Sequence, residues 1–239
     1  ELFLHYQIQV DSDIRPVGAE ALLRWKHPMR GMVSPAQFIS VAEDSTLILD
    51  IGQWVLDTAC RQLAIWSRQE QTRDLELAIN VSARQFGQHG FVQQVENAVR
   101  KHGIAPGHLK LELTESVVLK DVADVVTKMH ALKAAGVKLS LDDFGTGYSS
   151  LAHLKRFPVD CLKIDRTFVR DLDSEEPLRK QANAIARTVS YLGKALGLEV
   201  LAEGVETVAE RDCVVSCGCD LVQGYLIAKP GRPFPKPVW

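Results

Sequence analysis

Residues 121–151 read DVADVVTKMHALKAAGVKLSLDDFGTGYSSL. Val122, Val125, Val126, Met129 and Leu132 share one face of a helix over Asp121–Ala135, and Gly136 closes it. Val137–Leu141 is then a strand, with Asp142 and Asp143 at its end. The glycine-rich turn Phe144–Tyr148 follows, and Ser149 and Ser150 offer an N-cap for a helix over Ser150–Phe157, ahead of Pro158. Helix, strand, tight turn and helix make up one unit of a β/α repeat.

The same alternation runs outward in both directions. Upstream lie a strand at Leu75–Val81, a helix at Phe91–His102 closed by Gly103, and a strand at Leu109–Leu113. Downstream lie a strand at Cys161–Ile164, a loop at Asp171–Glu176 and a long helix with Ile185, Val189, Leu192 and Leu196 in phase. A strand at Glu199–Ala202, a helix opened by a Thr207/Glu210 capping box and a last strand at Leu221–Leu226 complete the series. Ser34 with Pro35 starts a helix, and helical spacing then runs through Ile48, Ile51, Val55, Ala59, Leu63 and Trp66. The chain opens differently. Leu2–Val10 and Gly18–Trp25 are strands too close together for a crossover helix, so they pair antiparallel. Repeated β/α alternation predicts a parallel sheet. Eight strands in this length favour a modified TIM (β/α)8 barrel with an antiparallel first strand. An open doubly wound sheet is the alternative.

The 239 residues are 46% hydrophobic and 24% charged, enough for one domain with a full core over 1–239. The chain begins directly on a strand pattern and reads as a domain cut from something longer. With 28 basic and 30 acidic residues and no polybasic run, no basic field points to DNA or RNA. No apolar run is long enough to span a bilayer and no signal peptide is visible, so a cytoplasmic location is expected. The five cysteines form no disulfide framework, and Cys213, Cys217 and Cys219 lack the spacing and nearby histidines of a zinc site.

Ionisable groups within or just after apolar strands are costly unless paired or metal-bound. In a barrel, the strand ends would bring Glu20, Asn80, Glu112, Asp142, Asp143, Lys163 and Glu203 to one mouth. A solvated or ion-paired carboxylate explains any one of them, and Lys163 would neutralise Glu112 or Asp165. Seven together on successive strands point to a hard cation, Mg²⁺ or Mn²⁺, held by oxygen ligands. The acids suffice for two metals, which suits in-line displacement at phosphorus, and Arg24 near Glu20 would clamp a phosphate. The residues alone reach a metal-dependent phosphodiester hydrolase or a phosphate binder.

Seven ordered motifs carry a resemblance over nearly the whole chain. They are GAEALLRWKHP from Gly18, AINVSARQF from Ala78, LKLELTES from Leu109, LDDFGTGYSSL from Leu141, DCLKIDRTFV from Asp160, LAEGVET from Leu201 and GCDLVQGY from Gly218. The chain resembles the EAL domain, the family of cyclic di-GMP phosphodiesterases, whose fold is a modified barrel with an antiparallel first strand. The resemblance implies hydrolysis of cyclic di-GMP to linear pGpG with two Mg²⁺ or Mn²⁺ ions and inhibition by Ca²⁺. It implies metal ligation by Glu20, Asn80, Glu112 and Asp142. Asp143 would be the second-metal ligand and also a substrate contact. Lys163 and Glu203 would position and deprotonate the attacking water, and Glu115 would brace the DDFGTG loop. Leu22, Arg24, Glu206 and Gln223 would bind substrate. The family also implies a homodimer formed beside that loop and an upstream GGDEF or sensory domain. Three departures miss the matched positions. YQIQ (Tyr6–Gln9) stands where YQPI is common, Thr46 stands where glycine is frequent, and the segment 172–185 is longer than usual. Degenerate members bind cyclic di-GMP without cutting it and typically lose these acids. This chain keeps them, so a receptor module is the alternative to an enzyme, and a barrel enzyme for another phosphoester ranks last.

Overall fold

The computed structural model describes residues 1–114, 121–145 and 154–232. Nine strands are present among them: β1 (Leu2–Asp11), β2 (Pro16–His27), β3 (Gly31–Val33), β4 (Glu76–Val81), β5 (Leu109–Thr114), β6 (Lys138–Phe144), β7 (Cys161–Ile164), β8 (Glu199–Ala202) and β9 (Leu221–Val222). Neighbours run in the order β1-β9-β8-β7-β6-β5-β4-β2, and β1 pairs back onto β2. Eight strands therefore close a ring, which excludes the open doubly wound sheet. β1 is antiparallel to both β2 and β9, and every other pair in the ring is parallel. β3 is an extra edge strand folded back on β2.

Strand β5 shows how the ring is filled. Leu109, Leu111 and Leu113 alternate with Lys110, Glu112 and Thr114, and the first five of these six are all buried. A parallel strand is covered on both faces. Here the leucines pack outward on the helices, and the polar residues point into the barrel, where Lys110 and Glu112 meet partners from other strands. The outer layer includes α1 (Pro35–Asp44), α2 (Leu47–Trp66), α3 (Ala83–Phe86), α4 (Phe91–His102), α5 (Val122–Ala134), α6 (Arg166–Arg170), α7 (Leu178–Leu196) and α8 (Val208–Cys217). Thr207 and Glu210 form the expected capping box at the start of α8.

Four local readings are corrected. The helical run after Pro35 breaks at Ser45–Thr46, where Ser45 Oγ accepts from Leu47 N–H at 3.3 Å and restarts the helix. The last strand ends at Val222 rather than Leu226, because the chain turns at Gly224, whose carbonyl accepts from Ile227 and Ala228. The polar stretch after Arg170 begins with a 3₁₀ turn over Asp171–Asp173 and is preceded by the unforeseen helix α6. Strand β6 runs on through Phe144 instead of ending at Leu141. The helix expected from Ser150 and the turn beyond Gly145 lie outside the described residues.

Candidate active site

Period-two alternation aims one residue from each strand end into the same mouth. Glu20 of β2 lies opposite Gln7 of β1, Asn80 of β4 opposite Glu112 of β5, and Thr114 opposite Asp142 of β6. Adjacent strand residues normally face opposite ways, so Asp142 and Asp143 would separate. A register shift against β7 between Leu141 and Phe144 interrupts that rule. Asp143 takes φ 56°, a left-handed conformation that Asp tolerates better than most residues, and its N–H bonds Asp142 Oδ1 at 2.9 Å.

The acids converge on Lys163. Its Nζ lies 2.5 Å from Glu203 Oε1, 2.7 Å from Glu112 Oε2, 3.3 Å from Asp142 Oδ2 and 3.8 Å from Glu20 Oε2. Burial opposes the charge on Lys163, but the surrounding carboxylates, Glu112 first, hold its proton well above the usual lysine range. Burial pushes Glu112 well up, with Glu20, Asp142 and Glu203 adding to it against Lys163. Glu203 is pushed up to about 8 by burial, against Lys163 and with help from Asp142 and Glu20. For Glu20 burial loses. The Lys163 charge and the hydrogen bonds from Gln223 and Asn80 keep it below the ordinary carboxylate value. Asn80 Nδ2 donates to Glu20 Oε1 at 2.6 Å and Gln223 Nε2 to Glu20 Oε2 at 2.7 Å. Asp143, half-buried, is raised by burial and by its neighbours Asp142 and Asp165.

Two residues of this network were not singled out in the sequence. Gln9 Nε2 donates to Gln223 Oε1 at 2.8 Å, and Gln223 Nε2 also reaches Gln7 Oε1 at 3.3 Å. Both glutamines are buried inside the barrel. Their signal was the polar face of YQIQ in a strand whose two faces are covered. Leu22 and Arg24 line a cavity of about 730 Å³ beside Asn80, bounded by α1 and α2. Glu206 is not brought into the Lys163 cluster. It is exposed and lines a second cavity with Arg166 and Arg170. Glu115 lies outside the described residues.

Among the described residues, no three acidic, histidine or cysteine side chains are arrayed as ready metal ligands. The carboxylates fold onto Lys163 instead. The donor set nevertheless fits a hard cation. It is all oxygen, it holds four carboxylates against one ammonium, and the buried Glu112 Oε1 has no hydrogen-bond partner. A second positive charge would relieve both the excess charge and the orphaned oxygen.

Residues 1–230 match the model of the EAL domain family. The bifunctional diguanylate cyclase/cyclic di-GMP phosphodiesterase MucR of Pseudomonas aeruginosa is 45% identical over 238 residues, which are 98% of this chain and 33% of the relative. The cyclic di-GMP phosphodiesterase NbdA of the same organism is 38% identical over 233 residues, 96% of this chain and 29% of the relative. The chain thus spans about a third of the length of these curated relatives. A solved structure of the PaMucR phosphodiesterase in complex with c-di-GMP superposes with a TM-score of 0.91 at 43% identity, covering 97% of this chain and 92% of that one.

Proposed function

The chain belongs to the EAL domain family over residues 1–230, and on that premise we propose that it hydrolyses one phosphodiester bond of cyclic di-GMP to give linear pGpG. The observation that carries this reading is the convergence of Glu20, Glu112, Asp142 and Glu203 on one buried lysine at the end of a closed barrel. Glu203 takes the proton of the attacking water. Its elevated proton affinity places it near neutral pH, where a general base is most effective. Lys163, 2.5 Å away, orients that carboxylate and holds positive charge beside the reacting phosphate. Arg24 reaches the phosphate from the cavity rim. Water adds to phosphorus as the P–O3′ bond breaks, leaving a 5′-phosphate and a 3′-hydroxyl.

Glu20, Asn80, Glu112 and Asp142, with Asp143, would hold the two Mg²⁺ or Mn²⁺ ions that the family implies. Bound there, such a cation would supply Lewis-acid charge at the phosphate oxygens. Gln9 and Gln223 keep Glu20 in place, so the inward face of β1 is a support for the site. No helix among the described residues is long and apolar enough to cross a membrane.

The test is incubation of the purified chain with cyclic di-GMP, products being separated by chromatography. pGpG is expected with Mg²⁺ or Mn²⁺ and not with Ca²⁺, which prefers longer bonds and looser coordination. Tight binding of intact cyclic di-GMP with no pGpG in either activating metal would replace the enzyme with a receptor.

A further inference from the structure

We infer that Lys128 is a positioning residue for the proposed reaction: it fixes α3, and through α3 the wall of the cavity beside Arg24, without touching substrate. The inference rests on the activity proposed above and adds a residue to it. Lys128 lies on α5 and is 7% exposed. A lysine is rarely buried unless it is paired. Its Nζ lies 2.8 Å from Asp124 Oδ2, one turn earlier, and donates to the carbonyl of Phe86 at 3.1 Å. The first contact is an i,i+4 pair with a half-exposed carboxylate, which a solvated lysine makes equally well. The second reaches a different element and accounts for the burial.

Phe86 ends α3, a helix of four residues. So short a helix has no stability of its own and depends on its surroundings. At its start the Ser82 side chain accepts from Gln85 N–H at 3.2 Å. At its end Gly87 N–H bonds Ala83 O and Gln88 N–H bonds Gln85 O, and no backbone N–H among the described residues reaches Phe86 O. A carbonyl left unpaired in the interior is costly, and Lys128 is its partner. The geometry follows from the fold. Helix α5 returns the chain from β5 to the start of β6, so it begins at the mouth end of the barrel. A helical side chain leans toward the N-terminus, which carries the Lys128 ammonium toward the mouth and α3.

Helix α3 in turn shapes the cavity of about 730 Å³. Ser82, Ala83, Arg84 and Gln85 line it together with Leu22 and Arg24. Gln85 is buried, and it lies so close to α2 that a Cβ at Gly52 would stand 2.3 Å from its Oε1. Arg84 Nη1 donates to Glu43 O of α1 at 2.9 Å. A rotation of α3 that turned Phe86 O toward water would therefore move the cavity wall and disturb its fit to α1 and α2. Asn80 is held independently of α3. It sits within β4 opposite Glu112 of β5, and the same strand pairs Ala78 with Glu20 of β2. Loss of the Lys128 ammonium thus acts on the cavity and spares the acids around Lys163. The signature is weaker substrate binding with unchanged chemistry.

The experiment measures KM and kcat for cyclic di-GMP in saturating Mg²⁺, at a temperature where thermal melting shows every variant folded. Lys128→Met keeps the stem and removes the donor. It is expected to raise KM about three- to tenfold, the worth of one hydrogen bond, with kcat within about twofold of wild type. Lys128→Arg keeps a charged donor long enough to reach the carbonyl and is expected to bring KM back to within about twofold of wild type. Asp124→Asn removes the ion pair but leaves the bond to Phe86, and wild-type KM is expected. If the methionine variant does not fold, Lys128→Gln, whose amide is too short to reach Phe86 O, is measured in its place with the same expectation. An unchanged KM, a fall in kcat alone, an arginine variant as weak as the methionine one, or an equal rise in KM for Asp124→Asn each overturns the inference. If wild type makes no pGpG, the proposed activity fails instead. Equilibrium binding of cyclic di-GMP to the same variants then decides this point: affinity lost with the donor and restored by arginine sustains it, and equal affinities overturn it.

Discussion

Lys163 is 1% exposed and is the one cation in direct contact with Glu20, Glu112, Asp142 and Glu203 among the described residues. Removing one partner of a buried charge cluster leaves the others uncompensated, at a cost of about 3–5 kcal/mol. Lys163→Met is therefore expected to lower the stability of the chelator-treated protein by about that amount, read from urea unfolding. The loss should shrink in saturating Mg²⁺ if the acids hold a cation, and an equal loss with and without Mg²⁺ would count against metal binding here. Glu203→Gln tests a different link. It keeps the shape and the hydrogen bond to Lys163's neighbourhood but removes the proton acceptor. Turnover should fall about 10²- to 10⁴-fold with KM nearly unchanged. A variant that loses affinity while keeping kcat would make Glu203 a binding group.

At the scale of elements, the ends of β8 and β9 are fitted to one another around Gly224. Val205 N–H donates to Gln223 O at 3.1 Å and Leu226 N–H donates to Val205 O at 3.0 Å, and a Cβ at Gly224 would lie 2.0 Å from Val205 O. That oxygen is backbone and cannot step aside without moving the segment that carries Glu203 and Glu206. Gly224→Ala should consequently cut turnover at least tenfold while costing about 1–3 kcal/mol of stability, checked by steady-state kinetics beside thermal melting. Wild-type turnover in that variant would show that the segment tolerates displacement. Gly224 also marks what the sequence could reveal and what it could not. Alternation in LKLEL and LELAINV made β5 and β4 readable, because the face packed on the helices carries an aliphatic residue at every second position, Leu109, Leu111 and Leu113 in β5 and Leu77, Ile79 and Val81 in β4. The end of β9 was overrun, since the close approach that turns the chain there is made by a residue 19 positions earlier. The break at Ser45–Thr46 was hidden by apolar residues that stay in phase across it. Strand β3 has three residues, too few to carry a period. The acids were conspicuous as expensive strand residues, whereas Gln7 and Gln9 passed as the ordinary polar face of a strand.

Across the whole molecule the barrel has a polar layer at each end, and the two are built to opposite purposes. At the end remote from Glu203, Lys110 lies 2.9 Å from Glu76 and 3.8 Å from Glu199, and Lys138 also pairs with Glu76, so two cations meet two anions. Burial opposes the charge on Glu76, but Lys110 outweighs it and keeps the carboxyl below its ordinary value. That layer contributes stability above the ordinary carboxylate range and loses it as pH falls. At the other end four carboxylates share one lysine, and Glu203 and Glu112 are both raised. Between 4.5, its ordinary value, and about 8, the folded chain holds a proton on Glu203 that the unfolded chain releases. Stability from this group is thus fully present below 4.5 and is lost as pH rises through about 8. The metal-free protein should melt at progressively lower temperature as pH is raised from mildly acid to mildly alkaline in the presence of a chelator. Cation binding requires ionised ligands, so added Mg²⁺ should raise the midpoint more at the alkaline end than at the acid end. A flat profile in chelator would mean that the Lys163 layer is not strained by its own charge. An equal gain from Mg²⁺ at both ends would place the cation away from these carboxylates.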